Sequence, residues 1–128
     1  MFPADLKYTK DHEWLKPQAD GTALVGITHY AQDALGDVVF VDLPEAGESF
    51  GHGEEFGTVE SVKTVSELNM PSDAEIVEVN AMLADHPEAV NEDPYGKGWM
   101  VRVRLKGALA ADLLDAKAYE ALVSAESH

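Results

Sequence analysis

Apolar and polar residues alternate along most of this chain in short runs bounded by turn residues, which predicts strands rather than long helices. Glu13 to Lys16 and Thr22 to Ile27 flank an Asp20-Gly21 turn and read as a hairpin. Thr28 can cap a short helix over His29 to Leu35, with Gly36 at its C-terminal end. Val38 to Leu43 (VVFVDL) is β-branched and aromatic and is expected to be a largely buried strand. Phe56 to Ser61 and Thr64 to Leu68 form two strands around a very tight turn at Val62-Lys63. Ile76 to Asn80 and Trp99 to Leu105 alternate as half-exposed strands do. In the second of these, Val101, Val103 and Leu105 share one face and Arg102 and Arg104 the other. His86 to Asp93 reads as a short helix or turn after Pro87.

From Ala108 the texture changes to an alanine- and leucine-rich run without Pro or Gly, of high helix propensity. It predicts a C-terminal helix over about residues 108–125, packed by its leucines on a β body at about residues 7–106. No linker, low-complexity run or repeat divides the chain, so residues 1–128 are expected to form one domain. Several short strands in so few residues suggest a sandwich or barrel.

The 128 residues are 45% hydrophobic, enough for a real core without disulfides or metals. The chain has no cysteine, which excludes a disulfide framework, a zinc–thiolate site and a cysteine nucleophile. Its net charge of −15 argues against nucleic acid and anionic membranes as partners and suits a soluble monomer. The N-terminal stretch lacks a basic region followed by an apolar one, and is not read as a secretory signal. No apolar run is long enough for a transmembrane helix. A cytoplasmic location is expected, or the mitochondrial matrix for a processed eukaryotic chain. The five histidines, at positions 12, 29, 52, 86 and 128, follow no metal-ligand or nucleophile motif.

One local break in charge stands out. Residues 17–96 hold 17 Asp and Glu but a single Lys or Arg, Lys63. A surface ion pair with Glu60 or Glu67 is one reading, though such exposed pairs contribute only about 0–1 kcal/mol. The other is a functional amine: a strand–turn–strand unit places the turn residue in water at an exposed tip, where lysine can be acylated. Neither Val62 nor Lys63 suits a primed hairpin turn, so a shape adapted to recognition is expected there.

The stretch FGTVESVKTVSELNMP (Phe56 to Pro71) resembles the lipoylation site of glycine cleavage H proteins. YTKDHEW, VGITHYAQDALGDVVFVDLPEAG, EIVEVN and VNEDPYGKGWMVRV match the same family in order, so the resemblance covers roughly residues 7 to 122. It implies a mainly β fold, the barrel-sandwich hybrid of lipoyl and biotinyl domains. Two small antiparallel sheets, short helices and a C-terminal helix make up that fold. It implies lipoic acid in amide linkage to Lys63 and a carrier without catalysis of its own. A pyridoxal-phosphate glycine decarboxylase would load the arm with an aminomethyl group. A tetrahydrofolate-dependent aminomethyltransferase would unload it, and dihydrolipoyl dehydrogenase would reoxidise it. A lipoate ligase, or an octanoyltransferase with lipoyl synthase, would install the cofactor. Glu60, Ser61 and Val62 are then candidates for recognition by that enzyme, or else ordinary hairpin residues. The resemblance also points to a cleft for the arm. There His12, His29 and Tyr30 would join Glu13 and Glu67, which would hold the cationic amine, while Ile27 and Ala31 cover it.

Two departures stand near the lysine. Ala74 occupies a position usually held by Gly, and Asp73 is the residue expected to take a left-handed conformation in its stead. Asn69-Met70 also replaces the commoner Tyr-Ser. Three rival readings are a biotin carrier, disfavoured because Val62 and Thr64 rather than Met flank the lysine, an enzyme, and a lipoate-relay protein outside glycine cleavage. Trp14 and Trp99 are read as packing residues.

Overall fold

A computed structural model describes residues 2–126. His128, among the histidines considered above, and the ends of the 1–128 domain lie outside the described residues. The elements in order are β1 (Lys7–Tyr8), β2 (Glu13–Pro17), β3 (Thr22–Ile27), α1 (His29–Leu35), β4 (Val38–Asp42), β5 (Ser49–Phe50), β6 (Glu55–Ser61), β7 (Val65–Asn69), β8 (Ala74–Val79), α2 (Met82–Asp85), α3 (Ala89–Glu92), β9 (Val101–Leu105) and α4 (Ala116–Glu126). They form two antiparallel sheets, a six-stranded one ordered β1-β2-β3-β9-β8-β5 and a three-stranded one ordered β4-β6-β7.

The alternating pattern explains how the sheets meet. Leu15, Val25, Ile76, Val101 and Val103 of the large sheet and Val38, Val41, Val59 and Leu68 of the small one bury their side chains in one shared core. A second cluster lies on the other side of the large sheet, where Leu6, Tyr8, Trp14 and Tyr119 are buried together. Trp14 is wholly buried and its indole N–H donates to the Pro94 carbonyl at 3.0 Å; Trp99 is half-buried against the same cluster. Both therefore pack, as expected. Gly26 makes room for Trp14, since a Cβ there would lie 2.8 Å from the indole ring.

Several expectations need correction. Val38–Asp42 is not largely buried: a β-bulge between Val38 and Phe40 turns both Val39 and Phe40 outward, while Val38 and Val41 stay in the core. The terminal helix begins at Ala116 rather than near residue 108. Before it, Leu114 pairs with Tyr8 in an isolated bridge, and the Ala110 N–H donates to the Ser72 hydroxyl at 3.0 Å. Those tertiary bonds override the helix propensity of the run. Asp73 does not take a left-handed conformation. Ala74 sits fully buried in β8 opposite Phe50 and Leu105, and among the described residues His12 is the non-glycine with positive φ, at 70°. The short elements β1, β5 and α2 carry too few residues to show a period, and pairing or packing alone creates them. Among the described residues no helix is long and apolar enough to cross a membrane.

Candidate functional site

Lys63 sits at the exposed tip of the β6–β7 hairpin and pairs with no carboxylate among the described residues. The pairing with Glu60 or Glu67 is thus not formed. Ser61 builds the turn. Its N–H donates to the Thr64 carbonyl at 2.8 Å, and its hydroxyl accepts from the N–H groups of Lys63 (3.3 Å) and Thr64 (3.1 Å). The Val62 N–H donates to the Asp37 carbonyl at 3.1 Å, tying the tip to the α1–β4 connection. Because the hydroxyl satisfies both amides, Val62 and Lys63 keep negative φ. The turn is therefore not a primed one, and Val62 and Lys63 are spared the positive φ it would demand. The aliphatic stem of Lys63 passes over Gly36, where an added Cβ would lie 3.5 Å from Cε. Gly36 has a φ of 82° and closes α1. Asn91 clamps the same junction, donating to the Gly36 carbonyl at 2.8 Å and accepting from the Val38 N–H at 2.8 Å.

Beside the tip, between the free edge of β7 and α1, lies a cleft of about 310 Å³. Its β7 wall begins at Thr64, next to the lysine, and runs to Leu68; α1 contributes Tyr30, Ala31, Ala34 and Leu35; the floor takes Ile27 and Val59. Asp11, His12, Glu13 and Glu67 supply its polar groups.

Glu13 is only 1% exposed. Its carboxylate accepts from the Thr9 hydroxyl at 2.7 Å and from the Asn69 N–H at 3.2 Å. Burial pushes the carboxyl up to about 7, against the lowering effect of those two hydrogen bonds and with a further upward push from Asp11. Glu67, in β7 of the other sheet, is exposed.

His12 holds this wall in place. Its carbonyl accepts from the Thr28 N–H at 3.0 Å, and its Nδ1 lies 2.7 Å from the Tyr119 hydroxyl. The same hydroxyl lies 2.7 Å from Thr28 Oγ1, which caps α1 by accepting from the Ala31 N–H. A 3.0 Å contact from His12 Nε2 to Glu126 and a ring contact with Tyr30 at 4.8 Å complete the set. Burial raises the Tyr119 phenol well above its ordinary pKa, so it stays a neutral bridge.

Of the residues named for an arm cleft, His12, Glu13, Ile27, Tyr30, Ala31 and Glu67 line this one. The structure does not bring His29 there: that ring lies 3.0 Å from the Gln32 amide, and its backbone N–H donates to the Tyr95 hydroxyl. Glu60 and Val62 are exposed beside the lysine, but Ser61 is buried, with its hydroxyl engaged inside the turn. Sequence reasoning missed Ala34 and Leu35, which helical spacing from Ala31 could have found. It also missed Thr28 as a brace and Tyr119, which joins the site across 107 residues with no local signal.

Fold and site together define a class: a small two-sheet β domain that presents one unpaired lysine at a hairpin tip, beside an acid-lined cleft. The family model for "Glycine cleavage H-protein" matches residues 6–126. A glycine cleavage system H protein from Chromohalobacter salexigens is 54% identical over 126 residues, covering 98% of this chain and 96% of the relative. One from Bacteroides thetaiotaomicron is 54% identical over 124 residues, covering 96% and 98%. The crystal structure of a glycine cleavage system H protein from Mycobacterium marinum superposes with a TM-score of 0.88 at 46% identity, covering 96% of this chain and 99% of that one. The chain belongs to the glycine cleavage H-protein family.

Proposed function

We propose that this chain is the lipoyl-bearing shuttle of the glycine cleavage system, one carrier domain acylated on Nζ of Lys63 and without catalysis of its own. It carries an aminomethyl group from the pyridoxal-phosphate decarboxylase to the tetrahydrofolate-dependent aminomethyltransferase, then presents itself to dihydrolipoyl dehydrogenase. A cytoplasmic location accompanies this reading. The observation that carries it is the lysine itself: exposed, free of any acid partner among the described residues, and rooted in a turn tied down by Ser61 and Asp37.

Lipoate in amide linkage there supplies a disulfide on a flexible arm, able to accept a one-carbon amine and two electrons. The protein's own part is to anchor and shelter. An amide at Nζ removes the lysine's charge, which no ion pair among the described residues opposes. Glu13 and Glu67 accept hydrogen bonds from a cationic amine in the cleft. Each Glu13 oxygen already accepts one bond and keeps a further lone pair. A carboxyl poised at about 7 ionises readily when a cation approaches, so the buried site becomes charged when there is a charge to meet. Ile27, Ala31 and Leu35 cover the opposite side and limit water.

Intact mass after expression in a lipoate-proficient host tests the attachment. A lipoyl increment is expected, and it is absent in Lys63→Arg; a biotinyl increment, or none, sinks the reading. Glycine–bicarbonate exchange with the decarboxylase separates the shuttle from a lipoate relay, which would not support it. For the cleft, ammonia release from the loaded protein held apart from its partner enzymes is the measure. Glu13→Gln should quicken it, and an unchanged rate removes Glu13 from the role.

A further inference from the structure

Asn91 belongs to the VNEDPYGKGW stretch, to which the shuttle reading gives no task. It stands on α3, where its neighbours Ala89 and Val90 are buried in the main core. A short helix anchored in that way is a rigid base. From it the Asn91 amide spends both N–H bonds and its oxygen on one junction, the end of α1 and the start of β4. Its Nδ2 donates to Gln32 Oε1 at 3.0 Å and to the Gly36 carbonyl at 2.8 Å. Its Oδ1 accepts from the Val38 N–H at 2.8 Å. The residues on either side of Gly36 serve the two parts of the site. Leu35, just before it, is cleft wall. Asp37, just after it, holds the hairpin tip through the Val62 N–H at 3.1 Å. Gly36 itself, with φ 82° and ψ −159°, takes a backbone conformation open in practice to glycine alone, and the Lys63 stem lies over it. The lysine and one wall of the cleft therefore share an anchor, in a side chain that forms neither.

We propose that Asn91 is a positioning residue for the arm: by holding Gly36 and Val38 in place it sets the direction in which the Lys63 stem leaves the tip, so that the loaded arm lies along the cleft. The inference rests on Lys63 bearing the arm and on the cleft receiving it. Leverage makes that direction matter. The arm beyond Nζ is a chain of single bonds, and the protein defines only its root. A small rotation at the root moves the far end much further, and the far end carries the amine that Glu13 must meet. Without the Asn91 amide, the Gly36 carbonyl and the Val38 N–H lose these bonds together, and Asp37 between them is free to shift with the tip it holds. The cleft wall at Leu35 and the root of the arm then move independently of each other.

The test uses full-length protein, fully lipoylated, loaded from glycine by the decarboxylase and then separated from it. Ammonia release is the readout: water takes the place of the amine at the methylene carbon, the C–N bond breaks, ammonia leaves with the electron pair, and formaldehyde then departs from the thiol. Asn91→Ala should quicken release about tenfold. Asn91→Asp keeps the acceptor for the Val38 N–H and loses both donations; it should quicken release by a smaller factor, and it carries the test if the alanine variant does not fold. Asp20→Ala removes the acceptor of two bonds from Thr22, at the end of β3 far from the cleft, and should keep release within about twofold of the parent. Reoxidation of the unloaded dithiol by dihydrolipoyl dehydrogenase, which uses the arm swung out, should match the parent in all variants. Parent-like release in the folded Asn91 variants would overturn the proposal. So would equal quickening in Asp20→Ala, the mark of a general loss of rigidity, or slowed reoxidation in the Asn91 variants, the mark of a damaged tip. A parent that releases ammonia as fast as free aminomethyl-dihydrolipoamide would instead sink the reading of the cleft, whatever the Asn91 variants do.

Discussion

Glu13 makes a sharp prediction because its carboxyl is buried, bonded and shifted upward at once. Its pKa rises from 4.5 to about 7 on folding, which corresponds to ~3 kcal/mol of proton linkage. The sign follows from proton counting. Between 4.5 and about 7 the folded state holds a proton on Glu13 that the unfolded state has lost, so stability falls as pH rises through this window. Below 4.5 both states are protonated and the contribution is fully present; above about 7 it is gone. Glu13→Gln removes the titration and keeps the shape. Its amide oxygen can accept from the Asn69 N–H, and its NH₂ can donate to the Thr9 hydroxyl, which has a second lone pair. The variant should therefore match the parent near pH 4.5 and exceed it by up to ~3 kcal/mol above about pH 7. Urea unfolding at several pH values, followed through the fluorescence of the buried Trp14, measures both proteins. The many surface acids titrate equally in the two chains, so the difference between them isolates Glu13. A difference that stays flat to within about 0.5 kcal/mol across the window would refute the reasoning, because the carboxyl would then be ionised in the folded state without cost.

Ser61→Ala removes the acceptor for the Lys63 and Thr64 N–H groups, and should destabilise by about 1–2 kcal/mol and slow lipoylation, seen by melting and by intact mass. Tyr119→Phe keeps its stack on Tyr8, at 4.6 Å, but deletes the hydroxyl shared by His12 and Thr28. A loss of about 1–2 kcal/mol is expected in urea unfolding, together with faster ammonia release from the loaded protein. Parent-like release would show that α4 does not brace the cleft.

Much was legible in the sequence because it depends on local chemistry. Thr28 and Gly36 bracket α1 through their own capping requirements, the Asp20-Gly21 turn marked the β2–β3 hairpin, and period-two alternation marked β8 and β9. The isolation of Lys63 among acids, between two strand-like runs, was visible before any coordinates, and ordered motifs supplied the family. The sequence alone therefore determined which residue would be offered at a tip and what kind of domain would offer it.

What tertiary structure alone decided has long-range causes. The bulge in β4 comes from pairing with β6, which is why VVFVDL exposes Val39 and Phe40 although its composition reads as core. The start of α4 is set by Leu114 pairing with Tyr8 and by Ser72 bonding to Ala110, contacts that outweigh intrinsic helix propensity. Ser61 looked like a surface contact and is an internal fastener. Glu13 was pointed to by the family resemblance alone, and it owes its raised carboxyl pKa to burial, which outweighs the lowering effect of its bonds to Thr9 and Asn69. Local sequence fixes torsional preference and charge, whereas burial and pairing depend on which distant segments arrive, and that is settled only when the two sheets close on each other.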